Sequence, residues 1–214
     1  DRWRRNGIRV GEDPSIHQLA VRAVDAFERA AAARRPVIAF ALFKYFPYGG
    51  LQRDFLQIAR IMASRGYHVR VYTLSWEGEK PAGFEVIEAP VQAVSNHVRY
   101  QRFARWVEDD LAWRPAMALI GFNKMPGLDI YFAADPCFEE KAREQRHPFY
   151  RFTPRYRLFS RFERAVFGPE SSSRVLIISP RQQLQFQKYY GTPAERFRLL
   201  PPGVSADRQR PADA

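Results

Sequence analysis

An α/β domain built on a doubly wound parallel sheet is the fold this sequence predicts, and three observations predict it. Strand-sized apolar runs alternate with segments of helical periodicity from Val37 onward. The first apolar run, Val37-Ile-Ala-Phe-Ala-Leu42, leads into a loop whose glycine pair opens a helix, the start of a β-α-β unit. Hydrophobic residues make up 46% of the 214 residues and aromatic residues 14%, enough for a packed core and against global disorder.

The elements follow in order. Residues 1–35 read as an N-terminal extension. Ile16, Leu19, Ala20, Ala23, Val24 and Phe27 recur there at helical spacing, and Ala30 to Arg35 forms a basic linker before Pro36. No motif assigns this extension a function. The domain proper is expected over residues 36–205, with the start of a connection to a second domain over 206–214. After the glycines, Leu51, Phe55, Ile58, Ala59 and Met62 make one helical face, and Gly66 suits a C-terminal cap. Tyr67 to Thr73 alternates like a strand with one buried face. Phe84 to Glu88 and Met117 to Phe122 read as strands flanking a helix over Val98 to Trp113. Two more strands are expected, Ile130 to Ala134 and Arg174 to Ile178. Ser179 then caps a helix with Pro180 at its first position and Gln182 completing a capping box. That helix ends near Tyr190-Gly191, and Phe197 to Leu200 returns to the sheet.

Composition removes several classes of function. No run approaches the ~18 apolar residues of a membrane-spanning helix. The N-terminus has neither a hydrophobic signal core nor an initiator Met, so a fragment of a cytoplasmic protein is expected. A single cysteine, Cys137, excludes an internal disulfide and a cysteine-based zinc site, and four scattered histidines lack ligand spacing. The net charge of +11 comes mostly from arginine, which base composition alone can produce. A clustered basic surface would suit anionic lipid, nucleic acid or a phosphorylated sugar. No nucleic-acid recognition motif accompanies the charge, so that partner is not expected.

Ligands of such sheets bind beyond the carboxyl ends of the strands, which singles out five loops. Gly49 and Gly50 let a ligand approach the backbone, tolerate φ > 0, and expose first-turn amides to an anion such as a diphosphate. A tight strand-to-helix turn needs the same glycines. Neither G-x-G-x-x-G nor a P-loop occurs, which disfavours nicotinamide and ATP-hydrolysing chemistry. Asp135 follows a strand directly and points toward the crevice, or caps the helix near Phe138.

Lys44-Tyr-Phe-Pro-Tyr-Gly-Gly-Leu-Gln-Arg-Asp54, Ser75-Trp-Glu-Gly78, Gly121-Phe-Asn-Lys-Met-Pro-Gly-Leu-Asp129, Ala133-Ala-Asp135 and Leu200-Pro-Pro-Gly203 all sit at candidate strand ends. Together, in order and spacing from about Val37 to Arg208, they resemble the N-terminal half of the lipopolysaccharide core glucosyltransferase I family. Those enzymes belong to retaining glycosyltransferase family 4 and have the GT-B fold of two Rossmann-like domains around a cleft. The resemblance implies transfer of glucose from the nucleotide sugar UDP-glucose to a heptose of the inner lipopolysaccharide core. It further implies that this chain holds the acceptor-side domain and is inactive alone. Gly49, Gly50 and Arg208 would meet the donor diphosphate. Asp54, Asn123 and Lys124 would meet the acceptor, though Asp54 also suits a solvated first-turn acid and Lys124 a partner for Asp129. Asp135, with Asp54, is the catalytic candidate: it would orient the acceptor and stabilise charge at the anomeric carbon, while the departing phosphate oxygen takes the proton. No Asp-x-Asp occurs, so neither metal nor other cofactor is expected.

Residues 137–167 carry eight lysines and arginines against four glutamates, a net of +4. Phe149, Phe152, Tyr156, Phe159, Phe162 and Val166 recur at helical spacing there, with Pro154 as a break or start. A basic helix with an aromatic face suits an anionic membrane surface, and Arg151, Phe152, Arg155, Tyr156 and Phe159 are the expected contacts. An aromatic stripe equally suits a packed face. The resemblance favours the membrane, with the protein peripheral on the inner face of the bacterial inner membrane. Rival readings are a non-catalytic basic module binding membrane or lipopolysaccharide, and a related glycosyltransferase with another donor sugar.

Overall fold

The computed structural model describes residues 35–200, and the chain divides between Arg35 and Pro36. The sheet and its helices belong to the second unit, from Pro36 onward. Residues 1–34 of the extension, the Leu200-Pro-Pro-Gly203 loop beyond Leu200, and Arg208 with the rest of 206–214 lie outside the described residues.

Seven parallel strands form one sheet. They are β1 (Val37–Ala41), β3 (His68–Thr73), β5 (Phe84–Glu88), β6 (Ala118–Gly121), β7 (Ile130–Ala133), β8 (Arg174–Ile177) and β9 (Phe197–Leu199). Their spatial order is β5-β3-β1-β6-β7-β8-β9. The chain thus runs outward from β1 to one edge, then returns beside β1 and runs to the other. The point where the order reverses lies between β1 and β6, and there the crevice of a doubly wound sheet opens. Two short strands, β2 (Lys44–Tyr45) and β4 (Ser75–Trp76), add a separate parallel pair that the sequence does not advertise. The Tyr45 and Trp76 rings stack at 3.8 Å between centroids, so the loops after β1 and β3 brace each other.

Strands covered on both faces read as continuous apolar runs, and β1 is one. Against one face α1 (Gly50–Ser64) packs Phe55 and Ala59, meeting Phe40, Val69, Val71, Ile120 and Phe122. Against the other lie α2 (Asn96–Trp113), α4 (Pro154–Phe167) and α5 (Pro180–Tyr190), with α3 (Phe138–Gln145) between α2 and α4 in the chain. Phe103 and Val107 of α2, Phe162 and Val166 of α4, and Phe186 of α5 enter that second cluster. No helix among the described residues is long and apolar enough to cross a membrane.

Two local expectations are corrected. β3 is buried on both faces rather than one. Its Arg70 tolerates burial because Glu85 accepts from its Nε at 2.8 Å and the Arg114 carbonyl from its guanidinium at 2.6 Å. At α5, Ser179 caps as expected by accepting from the Arg181 amide at 3.3 Å, but Gln182 does not close a capping box. Its Oε1 accepts from the Ile178 amide at 2.9 Å and its Nε2 donates to the Ala133 carbonyl at 2.6 Å. Gln182 therefore ties the carboxyl ends of β7 and β8 together.

Candidate functional site

An open cleft of about 360 Å³ lies at the reversal point. Phe43 follows β1, Asn123 and Lys124 follow β6, and Asp135 and Pro136 follow β7. Tyr100 of α2, Phe138 and Lys141 of α3, and Arg155 and Phe159 of α4 complete the wall. Three sequence candidates, Asn123, Lys124 and Asp135, are thereby brought together. Asn123 is oriented by the Phe43 amide, which donates to its Oδ1 at 2.7 Å and leaves the side-chain NH₂ for a ligand. Asp135 is not the cap of α3; that position falls to Cys137, whose side chain makes no capping bond.

The cap is supplied instead from another helix. Glu163 of α4, fully buried, accepts from the Phe138 amide at 2.7 Å and the Glu139 amide at 2.8 Å. The same carboxylate accepts from the Lys124 ammonium at 2.6 Å and the Tyr190 hydroxyl at 2.5 Å. Lys124 thus pairs with Glu163, not with Asp129, and also donates to the Pro136 carbonyl at 2.7 Å. Asp129 is engaged elsewhere, accepting from the Leu119 amide at 2.7 Å. Burial pushes the Cys137 thiol up to about 12, with the Glu163 charge adding to it, so the thiol stays protonated. Tyr131, whose buried hydroxyl has no hydrogen-bond partner, is raised well above its ordinary value by burial and by the charges of Asp135 and Glu163.

Gly49 and Gly50 sit at the start of α1, also at the carboxyl edge, but do not line this cleft. Neither has positive φ, contrary to the freedom expected of them. Their value is room. A Cβ on Gly49 would fall 1.8 Å from the Gln52 Oε1, whereas nothing lies within 4 Å of one on Gly50. The space above Gly50 is open to a ligand, and Gly49 gives the first-turn amides no side-chain partner. Asp54, half-buried within α1, does not line the cleft either. Burial raises its carboxyl pKa above the ordinary value, against the opposing charge of Arg53.

The basic insert over 137–167 divides its aromatic residues. Tyr156 is turned inward and donates to Glu139 Oε2 at 2.8 Å, which corrects its assignment as a membrane contact. Phe159 is half-buried and, with Arg155, faces the cleft. Phe162 and Val166 belong to the core, as a packed stripe would. Phe149 and Phe152 are 72% and 69% exposed in the 3₁₀ turn Pro148–Phe152, beside the exposed Arg151. Sequence reasoning missed Phe43, Tyr100, Phe138 and Lys141 as lining residues. The first turns of the helices after β5 and β7 point at the carboxyl edge, which was the available signal for Tyr100 and Lys141. Nothing local marked Glu163.

The chain is 50% identical over 173 residues to the lipopolysaccharide glucosyltransferase WaaG of Escherichia coli (strain K12), covering 81% of this chain and 46% of that protein. A crystal structure of WaaG, described as a glycosyltransferase involved in lipopolysaccharide biosynthesis, superposes with a TM-score of 0.79 at 49% identity. That match covers 82% of this chain and 49% of the solved one, so the chain spans about half the length of the relatives it matches. The parallel sheet is accordingly a Rossmann-like α/β fold that matches part of the GT-B glycosyltransferase structure of WaaG. Residues 48–208, which hold the glycine pair and every cleft residue except Phe43, match Glycosyltransferase Family 4, and the chain belongs to that family.

Proposed function

We propose that this chain is the acceptor-side half of a retaining glucosyltransferase that moves glucose from UDP-glucose to a heptose of the inner lipopolysaccharide core. The observation that carries the reading is the convergence of Asp135, Asn123 and Lys124 in one cleft at the reversal point of the sheet, in a chain half identical to a lipopolysaccharide glucosyltransferase. Asp135 is the one carboxylate among the lining residues, so it is the group available to orient a sugar hydroxyl. In a same-face displacement the bond from the anomeric carbon to the departing phosphate oxygen breaks as the bond to the acceptor oxygen forms. The acceptor proton passes to that phosphate oxygen, and Asp135 stabilises the positive charge that develops meanwhile. The open amides before Gln52 favour the diphosphate through the helix dipole and their free N–H groups, with Arg208 as a further donor contact. Asp54 is a second acceptor-side acid in this reading, its carboxyl raised by burial against the opposing charge of Arg53. No metal is required, because dipole and basic side chains neutralise the leaving group.

Phe149 and Phe152, exposed on a basic turn next to the cleft-lining Arg155, favour peripheral contact with the anionic inner face of the bacterial membrane. The same turn also supports the rival reading of a membrane-binding or lipopolysaccharide-binding module without catalysis. Glucose transfer from UDP-glucose to a heptose-terminated core separates them. The assay compares this chain with a chimera in which the second half of the Escherichia coli relative follows it. Transfer by the chimera alone supports the reading; vesicle and core binding with no transfer by either protein supports the module.

A further inference from the structure

Three cations line the cleft, and they are not equivalent. Lys124 is matched by Glu163 at 2.6 Å and is only 11% exposed, so its charge is already compensated. Lys141 and Arg155 are exposed, and among the described residues neither has a carboxylate partner. The Arg155 guanidinium lies 5.7 Å from the Phe159 ring centroid, which holds it along the wall of the cleft. Behind the two cations runs a continuous aromatic surface. Phe43 and Tyr100 stack at 4.0 Å, Tyr100 meets Phe159 at 6.1 Å, and Phe159 meets Phe138 at 5.6 Å. Apolar ring faces suit the C–H face of a sugar, and two unmatched cations beside them suit a doubly charged group on that sugar.

We propose that Lys141 and Arg155 form a phosphate subsite in this cleft, reading a phosphate monoester carried by the acceptor glycan. The proposal rests on the glycosyltransferase reading above. A phosphate monoester carries a charge of about −1.5 to −2 near neutral pH and three acceptor oxygens. Arginine meets two of those oxygens with its planar fork and lysine supplies a compact point charge. A single carboxylate would leave one cation unmatched, and a neutral hydroxyl would leave both. The open amides of α1, where the reading above puts the donor diphosphate, are not among the residues lining this cleft. Asp135, on the same cleft wall, is left for a neutral hydroxyl of the same acceptor.

The test uses the 214-residue chain and titration calorimetry at one fixed ionic strength. The probes are a heptose-bearing core oligosaccharide with phosphate monoesters, the same oligosaccharide after chemical dephosphorylation, and anionic phospholipid vesicles free of glycan. Lys141→Gln, Arg155→Gln and the double variant are compared with the parent, with thermal midpoints confirming that each is folded. Charged hydrogen bonds of this kind correspond to roughly tenfold or more in affinity. The phosphorylated oligosaccharide is therefore expected to bind at least about tenfold tighter than the dephosphorylated one, and the double variant to erase that difference while leaving the dephosphorylated affinity unchanged. Equal affinity for both oligosaccharides overturns the phosphate subsite and leaves the glycosyltransferase reading intact. Vesicles that depend on Lys141 and Arg155 as strongly as the phosphorylated glycan assign these cations to lipid headgroups, which also overturns it. Binding of neither oligosaccharide removes the acceptor-side reading together with the subsite.

Discussion

Replacing Glu163 by Gln removes one charge from the junction that joins α3, α4, α5 and the loop after β6. The carboxylate is wholly buried and holds the Lys124 ammonium at 2.6 Å with two amides of α3 at 2.7 and 2.8 Å. Glutamine offers one acceptor oxygen where the carboxylate offers two, and turns an NH₂ toward donors. Lys124, 11% exposed, is left without its counter-charge. Breaking a buried pair from one side costs about 3–5 kcal/mol. Against a total stability of about 5–15 kcal/mol this is a large share. At about 2–4 °C per kcal/mol for a domain of this size, the thermal midpoint falls by roughly 6–20 °C. Urea unfolding followed by circular dichroism measures the loss directly, provided the slope with denaturant is unchanged. Adding Lys124→Met to Glu163→Gln removes the stranded charge, so the double variant is expected to be more stable than Glu163→Gln alone. A loss below about 1 kcal/mol in Glu163→Gln, or a double variant whose losses simply add, refutes the reasoning.

Other expectations follow from the same geometry. Gly49→Ala forces Gln52 away from the Lys44 carbonyl that its Nε2 meets at 3.1 Å, and is expected to cost about 1–3 kcal/mol in urea unfolding. Gly50→Ala enters open space without positive φ, so stability holds or rises by up to about 1 kcal/mol. Its methyl nevertheless intrudes where the diphosphate approaches, and UDP-glucose affinity of the chimera should drop. Alkaline titration is the third case. Burial raises Cys137 from 9.0 to about 12 and Tyr72 from 10.0 to about 12, the latter helped by its hydrogen bond to Asp110. Above about pH 9 the unfolded chain therefore releases protons that the folded chain keeps. Stability is full below pH 9 and falls as pH rises toward 12; a flat urea midpoint from pH 8.5 to 11 contradicts this. Finally, Phe149→Ser with Phe152→Ser should weaken sedimentation with anionic vesicles while leaving stability within about 0.5 kcal/mol. Tyr156→Ala, by contrast, should cost about 3 kcal/mol or more because its ring and hydroxyl are internal.

Most of the fold was legible because the strands are short apolar runs and their helices carry periodic apolar faces. β1, β8 and the Ser179-Pro180 helix start could be read within a residue or two. What was not legible depended on partners distant in the chain. Arg70 looks solvent-facing until Glu85 and the Arg114 carbonyl are placed beside it. The β2–β4 pair exists because two loops meet, and neither loop looks like a strand alone. In the cleft, Asn123, Lys124 and Asp135 could be named from strand ends, since the switch-point rule fixes where such residues converge. Tyr100 and Lys141 lie on helices that follow β5 and β7, a signal left unused, whereas Arg155, on the helix after the 3₁₀ turn, reaches that edge only through packing. The aromatic stripe over 149–166 carried two meanings at once: Tyr156, Phe162 and Val166 pack inward, while Phe149 and Phe152 stay outside. Helical spacing cannot separate those meanings when a 3₁₀ turn and Thr153, the cap of α4, interrupt the helix.

The most direct test of the acceptor-site account is glucose transfer by the chimera carrying Asp135→Asn. Removing a group that stabilises developing charge costs about 100-fold or more in turnover. kcat is expected to fall by at least that factor while the thermal midpoint and UDP-glucose affinity hold. Unchanged turnover with intact binding would contradict it and move the reacting centre away from this cleft.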